Sequence, residues 1–162
     1  MRQLYRFLTL PPGERRLLMK AALLLALIRL SLGMVPFPVF RRLVVGRQRV
    51  GLVAANGDRR LADQVVWAVT AVSQRAPCWA STCLSRALTL QAMLAHRGLL
   101  SRLHVGVMRD LQGKLEAHAW VEREGRILIG GTPADIDRFS PLAAFDVEPK
   151  EPVAIETAQR SP

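Results

Sequence analysis

Residues 81–98 read STCLSRALTLQAMLAHRG, and the fold of the chain is built around this stretch. Its apolar side chains recur at spacings of three and four, which predicts an amphipathic helix from Thr82 to Arg97. Ser81 or Thr82 can cap the free amide groups at its start, and Gly98 follows as a stop. The apolar positions are Leu84, Ala87, Leu88, Ala92 and Ala95.

Cys83 lies in the first turn of this predicted helix and is the candidate nucleophile. The positive end of a helix dipole favours the thiolate form of a cysteine placed there. The alternative is that Cys83 is a small buried hydrophobic residue, as many free cysteines are. A general base in the fold near Cys83 would favour the catalytic interpretation.

After Gly98 the pattern changes from helical to alternating, which predicts strands. Residues 103–108 and 115–122 form two such runs, joined by a turn at residues 110–114. A third run, residues 126–129, follows a tight turn at Glu124 and Gly125, so the last two strands should form a hairpin. This hairpin would place Val121 opposite Leu128 and His118 opposite Gly131. The predicted fold class is therefore α+β, with the cysteine-bearing helix packed on an antiparallel sheet.

His118 lies on the polar and aromatic face of its strand, with Trp120 two residues further on. A helix-borne cysteine followed by a strand-borne histidine is the chain order of papain-like and transglutaminase-like thiol enzymes. A lone histidine in a strand is more often exposed or hydrogen-bonded without a catalytic role. We keep that interpretation for His96 and His104.

Two segments together resemble one known family. They are TCLSRALTLQAMLAHRGLLSRLHVGVMRD at residues 82–110 and LEAHAWVEREGRILIGG at residues 115–131. The resemblance is to the B protein of lasso peptide biosynthesis, a transglutaminase-like cysteine protease. In that family a Cys-Leu motif opens a helix that ends in an Arg-Gly turn, a strand of the type Leu-His-Val-Gly-Val follows, and Ala-His-Ala-Trp-Val-Glu carries the histidine. The resemblance covers about residues 60 to 145 and extends loosely to the N-terminal helical region.

The resemblance implies removal of the leader peptide from a lasso peptide precursor. Cys83 would be the nucleophile, and His118 the base towards the thiol and then the acid towards the leaving amine. Water would resolve the acyl-enzyme, and the backbone amide of Cys83 is a candidate oxyanion donor. No cofactor is implied.

The third catalytic group is where the sequence departs from the family pattern. In the transglutaminase-like fold an acid on the strand after the histidine orients the imidazole, but the residue expected opposite His118 is a glycine. We favour Asp135, with Asp137 as the alternative third member. Glu122, a main-chain carbonyl, or a dyad without a third side chain stay open. Either aspartate can instead cap the short turn that leads to Phe139.

Cys78 and Trp79 precede the predicted helix. A zinc site with Cys78 and Cys83 would need two further ligands at short spacing, and a disulfide would consume the proposed nucleophile, so we expect no metal and no disulfide. We expect Cys78 and Trp79 in the loop at the mouth of the cleft, with Trp79 and Trp120 as substrate-cleft residues. A packed tryptophan without a substrate role is equally open for Trp79.

The chain has 162 residues, half of them hydrophobic, which suits one domain with one core. We expect a helical N-terminal region at residues 1–60, a transglutaminase-like core at residues 61–147 and a loosely ordered tail at residues 148–162. The tail is interrupted by proline and shows little periodicity.

The N-terminal region contains the apolar run LLMKAALLLALIRLSLGMVPF at residues 17–37. Pro12 and Glu14 are typical of the first turn of a helix. Arg29 interrupts the run and Pro36 ends it, which argues against a membrane span. We expect a buried helix, with a membrane-surface helix as the alternative. The predicted location is therefore cytoplasmic, with membrane association as the alternative.

The net charge is +10, and basic residues crowd residues 1–60. The basic region lacks interleaved aromatic residues and any zinc-finger or RNP-type motif, so nucleic-acid binding is not expected. A basic surface suits an acidic leader peptide or partner.

The first 60 residues show no winged-helix pattern for leader recognition. The resemblance then implies a stand-alone protease that works with a separate leader-recognition protein and a lasso cyclase resembling asparagine synthetase. Two alternatives stay open. They are a thiol acyltransferase on the same fold and a non-catalytic basic binding module.

Overall fold

Helices precede an antiparallel sheet in the computed structural model, which describes residues 10–32, 58–76, 82–110 and 112–146. Within these ranges the sheet has four strands in the order β3-β2-β1-β4, and all neighbouring pairs are antiparallel. The predicted α+β class is confirmed. The elements are α1 (Pro12–Ser31), α2 (Asp58–Ser73), α3 (Cys83–Ala95), β1 (Arg102–Arg109), β2 (Leu115–Arg123), β3 (Arg126–Ile129), α4 (Pro133–Ile136) and β4 (Ser140–Asp146).

Helix α3 is the central element, in contact with α1, α2 and the sheet. Its predicted start is confirmed, because Thr82 and Ser85 form a capping box. The Thr82 side chain accepts from the Ser85 amide, and the Ser85 hydroxyl accepts from the Thr82 amide. At the other end Gly98 has φ 73°, and the amide of Leu99 donates to the carbonyl of Leu94. Both ends of the helix that carries Cys83 are therefore fixed by local hydrogen bonds.

The hydrophobic core lies between α3 and the sheet on one side and α1 and α2 on the other. A fully buried leucine contributes roughly 1.5–3 kcal/mol relative to an exposed one. Helix α3 is buried along most of its length and packs on β2. The largest core side chains include Leu88, Leu90 and Leu94 of α3, Leu103 of β1, Val121 of β2, Val65 and Val69 of α2 and Ile28 of α1.

The predicted hairpin between β2 and β3 is confirmed. Glu124 and Gly125 both have positive φ, 52° and 72°, which suits the two-residue turn of a tight hairpin. The predicted pairing of Val121 with Leu128 is wrong, because Val121 lies opposite Ile129 across a β-bulge. Three successive apolar residues, 127–129, leave the alternation unable to specify the register, and the bulge buries Ile129.

The bulge also changes what lies next to His118. Strand β3 ends at Ile129, so the predicted pairing of His118 with Gly131 is wrong. On its other side His118 lies opposite Gly106 of β1. Strand β4, which pairs with the outer edge of β1, was not predicted.

Helix α1 begins as predicted, with Pro12 at its first position and Glu14 in the first turn. It is buried along one face only. Within the described residues, no helix combines the length and the apolarity that a bilayer crossing requires. The buried side chains are Leu17, Ala21, Leu25 and Ile28, and the exposed ones are Met19, Leu23, Leu27 and Leu30.

Two sets of sequence predictions fall outside the described residues. Cys78 and Trp79 lie in the undescribed range 77–81, and the tail predicted at 148–162 lies beyond residue 146.

Candidate active site

Cys83 stands at the first position of α3, where Thr82 caps the helix. Its side chain is partly exposed, and Sγ lies 3.9 Å from the carbonyl oxygen of Ala117. Ala117 is the residue before His118 on β2. The packing of α3 on β2 thus brings the predicted nucleophile to the predicted base, 35 residues apart in sequence.

The His118 ring stacks with two aromatic side chains. Its centroid is 5.0 Å from that of Phe139 and 6.4 Å from that of Trp120. Gly106, opposite His118, leaves room for this arrangement, since a Cβ there would lie 2.9 Å from the Phe139 Cβ and 3.0 Å from the Trp120 ring. The aromatic contacts hold the imidazole against the sheet.

A main-chain carbonyl contacts the imidazole. Nε2 of His118 hydrogen-bonds to the carbonyl oxygen of Gly130. Gly130 and Gly131 have φ 113° and 124°, which L side chains rarely adopt, and a Cβ on Gly130 would lie 2.8 Å from the Trp120 Cα. Because a carbonyl can only accept, this bond assigns the proton of a neutral His118 to Nε2 and leaves Nδ1 as an acceptor.

Cys83 and His118 line one cleft of about 260 Å³. A thiol, an imidazole and an open cleft are the parts that acyl transfer through a thioester requires. Arg86 is the charged residue of the lining. The lining residues are Cys83, Arg86, His118, Ala119, Ile129, Gly130 and Gly131.

Asp135, predicted as the third catalytic residue, caps the short helix α4. Its Oδ2 accepts from the amide of Thr132 at 2.9 Å and from the Thr132 hydroxyl at 2.7 Å. The Thr132 side chain, followed by the Thr132 backbone, lowers the pKa of the Asp135 carboxyl, with smaller contributions from the charges of Arg138 and His118. The charge of His118 thus contributes to the lowered pKa of Asp135, while the Asp135 carboxylate itself is bound by Thr132. Its catalytic role stays a prediction.

The other predicted third catalytic residues and the remaining histidine lie as follows. Asp137 is the C-cap residue of α4. The Glu122 carboxylate lies 3.3 Å from Nε2 of His104, so it faces that histidine. His96 is exposed.

Trp120 lies behind His118 and outside the residues that line the cleft. It is only 5% exposed and stacks on His104, with ring centroids 5.2 Å apart and planes at 5°. Its predicted substrate contact stays a prediction, and its observed contacts are those of a packed side chain.

Sequence reasoning missed Arg86, Phe139 and the role of Gly130. The two consecutive glycines after an apolar strand, ILIGG at residues 127–131, were a signal, because paired glycines permit a backbone conformation that other residues avoid. Arg86 follows Cys83 by three residues on one predicted helix, and this spacing indicates that the two side chains are neighbours on the helix surface.

The comparisons with known proteins agree with this geometry. A family model described as the transglutaminase-like superfamily matches residues 24–144. Neither the curated proteins nor the solved structures gave a significant match.

Proposed function

Because this chain belongs to the transglutaminase-like superfamily, whose members are typically cysteine proteases or acyltransferases, we propose that it is a cysteine peptidase. Its substrate in this proposal is the leader region of a ribosomally made lasso peptide precursor. The observation that carries the enzymatic part is the shared cleft of Cys83 and His118. The motif resemblance over residues 82–131 supports the choice of substrate.

The proposed mechanism begins with proton transfer from the Cys83 thiol to Nδ1 of His118. The thiolate sulfur then forms a bond to the scissile carbonyl carbon, and the negative charge moves to the carbonyl oxygen. The Cys83 backbone amide, unpaired within the helix at its first turn, can donate to this oxyanion. The imidazolium gives its proton to the leaving amine as the C–N bond breaks. Water, deprotonated by His118, hydrolyses the thioester.

In this mechanism the Gly130 carbonyl performs the orienting task that a carboxylate performs in other triads. It accepts from Nε2 and keeps Nδ1 free for the thiol proton. A neutral acceptor stabilises the imidazolium less than an ionised carboxylate does. Asp135, close enough for its charge to interact with His118, is the alternative third member.

Three further components belong to the proposal. They are the precursor peptide, a separate leader-recognition protein, and a cyclase resembling asparagine synthetase that closes the ring on the released core. Because the net charge is +10, electrostatic attraction favours an acidic leader or partner.

The test combines the full chain with its precursor and recognition protein and follows the released leader and core by mass spectrometry. We expect Cys83→Ala and His118→Ala each to abolish cleavage while the thermal melting curve stays cooperative. Ser101→Ala, a buried hydroxyl away from the cleft, is the control and should retain activity. Cleavage by Cys83→Ala would falsify the peptidase assignment.

An acyltransferase on the same fold is the second candidate, since it would use the same Cys83 and His118 chemistry. Adding a primary amine to the reaction distinguishes the two. A peptidase releases the free carboxylic acid, whereas an acyltransferase gives the amide as its main product.

A further inference from the structure

Arg86 occupies the proposed active-site cleft without a function in the mechanism above. It follows Cys83 by three positions on α3, so the two side chains lie on neighbouring parts of one helix face. Both line the cleft, together with His118. Arg86 therefore shares the cleft with the thiol and the imidazole.

The Nε of Arg86 is buried and has no hydrogen-bond partner among the described residues. A guanidinium carries five N–H donors, and a buried donor left without an acceptor is unfavourable. Buried polar atoms are usually satisfied, so this unpaired donor leaves hydrogen-bonding capacity that a bound acceptor can use.

No carboxylate of the described residues lines this cleft. The Asp135 carboxylate accepts from Thr132, and the Glu122 carboxylate lies 3.3 Å from Nε2 of His104. Among the described residues that line the cleft, Arg86 is therefore the one with a permanent charge. The planar fork of a guanidinium matches a carboxylate.

We propose that Arg86 forms a carboxylate-binding subsite beside Cys83, so that preferred substrates carry an acidic side chain next to the scissile bond. This inference rests on the proposed function, since it assigns a specificity residue to that cleft. Arg86 is here a substrate-binding residue, and the chemical steps proceed through Cys83 and His118.

The first test needs no turnover and compares two alkylating reagents at Cys83. In both reactions the thiolate sulfur bonds to the reagent's CH2 carbon and iodide leaves, but iodoacetate carries a carboxylate and iodoacetamide does not. The measurement is the ratio of the two rate constants, read by mass spectrometry of the peptide that contains Cys83. Dividing by the iodoacetamide rate removes any change in the reactivity of the thiol itself.

We expect Arg86→Gln to lower this ratio about twofold to fivefold, the range that partly exposed ion pairs produce. Arg86→Lys should keep most of the ratio, because it keeps the charge. Arg126→Gln is the matched control, since it removes the same charge from β3, where Arg126 pairs with Asp63 of α2. An equal ratio in Arg86→Gln and Arg126→Gln would overturn the subsite.

A second measurement uses the wild-type chain only, so it stands even where Arg86→Gln does not fold. The capped amino acid N-acetyl-glutamate amide competes with iodoacetamide for access to Cys83, beside N-acetyl-glutamine amide at the same concentration and ionic strength. We expect the glutamate compound to slow labelling more than its uncharged counterpart, and the difference to shrink at high salt. Equal protection by the two compounds overturns the proposal.

A third measurement separates this inference from the proposed function. For a peptide that the enzyme cleaves, kcat/KM is compared between versions with glutamate and glutamine beside the scissile bond. We expect the wild type to prefer glutamate and Arg86→Gln to lose that preference. If Cys83→Ala still cleaves, the peptidase fails while the alkylation ratio still reports the subsite. If Cys83→Ala is inactive but the wild type shows no preference, the subsite alone fails.

Discussion

A histidine oriented by a main-chain carbonyl and one oriented by a carboxylate respond differently to mutation. The carbonyl of Gly130 has no side chain to remove, so no single substitution neutralises it without moving the backbone. The carboxylate of Asp135, in contrast, becomes a neutral amide in Asp135→Asn with little change of shape. That substitution therefore decides between the two orienting groups.

We expect Asp135→Asn to retain cleavage within about tenfold of the wild-type rate. Loss of a carboxylate that fixes the tautomer of a catalytic histidine costs up to about 10⁴ in rate in serine proteases, whereas a helix cap affects stability. Asp137→Asn, two residues away at the end of α4, is the control. A loss of about 10³ or more in Asp135→Asn alone would show that Asp135 has the orienting role predicted from the sequence.

The same variant has a pH signature. The folded state lowers the pKa of the Asp135 carboxyl, first through the Thr132 hydroxyl and next through the Thr132 amide. A lowered folded-state pKa stabilises the protein above the unfolded value and loses this contribution as pH falls through the folded pKa. The wild type should therefore melt at a higher temperature than Asp135→Asn near neutral pH. This difference should shrink below about pH 4. A difference independent of pH would contradict the cap.

Part of this residue-level detail could be predicted from the sequence. Thr132 and Asp135 have the spacing of a capping box, and Pro133 is at the first helical position. The sequence therefore predicted a capping role for Asp135 as well as a catalytic one. The hydrogen bond from His118 to Gly130 could not be predicted from the sequence. It depends on where β3 ends and on the positive φ of two glycines, which sequence alternation does not encode.

At the scale of elements, the start of α3 contains both a helix cap, Thr82, and the proposed nucleophile, Cys83. The hydroxyl of Thr82 satisfies an otherwise free amide of the first turn, next to Cys83. We expect Thr82→Ala to lower the free energy of unfolding by about 1 kcal/mol, measured by urea denaturation. Thr132→Ala removes the matching cap from the four-residue helix α4 and should cost less. An equal or smaller loss in Thr82→Ala would mean that tertiary packing alone fixes the N-terminus of α3.

Helix α3 and the β2–β3 hairpin were predictable because their signals are local. Thr82, the spacing of apolar residues and Gly98 specify the helix, and Glu124 with Gly125 specifies the turn. The bulge at Leu128 and strand β4 were not predictable. The bulge is chosen by burial of Ile129 against the core, and β4 forms by pairing with β1.

At the scale of the whole molecule, α1 packs against α2 and α3, and the family match begins within it at residue 24. The predicted boundary at residue 60 between an N-terminal region and the core stays a prediction. A separate leader-binding protein is likewise a proposal, and it has a direct kinetic consequence.

We expect the isolated chain to cleave its precursor slowly and the recognition protein to raise the rate at low substrate concentration. Tethering the leader near the cleft replaces dilute substrate by an effective concentration in the millimolar range. The measurement is the initial rate against precursor concentration, with and without the recognition protein, and with His118→Ala as the inactive control. Full activity of the isolated chain at micromolar precursor would show that this chain binds the leader itself.

The order of the strands imposes a sequence of events on a newly made chain. Strand β1 lies between β2 and β4, and both neighbours are synthesised after it. At about 5–20 residues per second, a ribosome needs several seconds to progress from the cysteine to the histidine and longer to reach β4. In the proposed mechanism the thiol has no base during that interval, so the nascent chain could not hydrolyse a peptide bond in any segment near it. The proposed activity therefore begins only after the sheet has started to assemble.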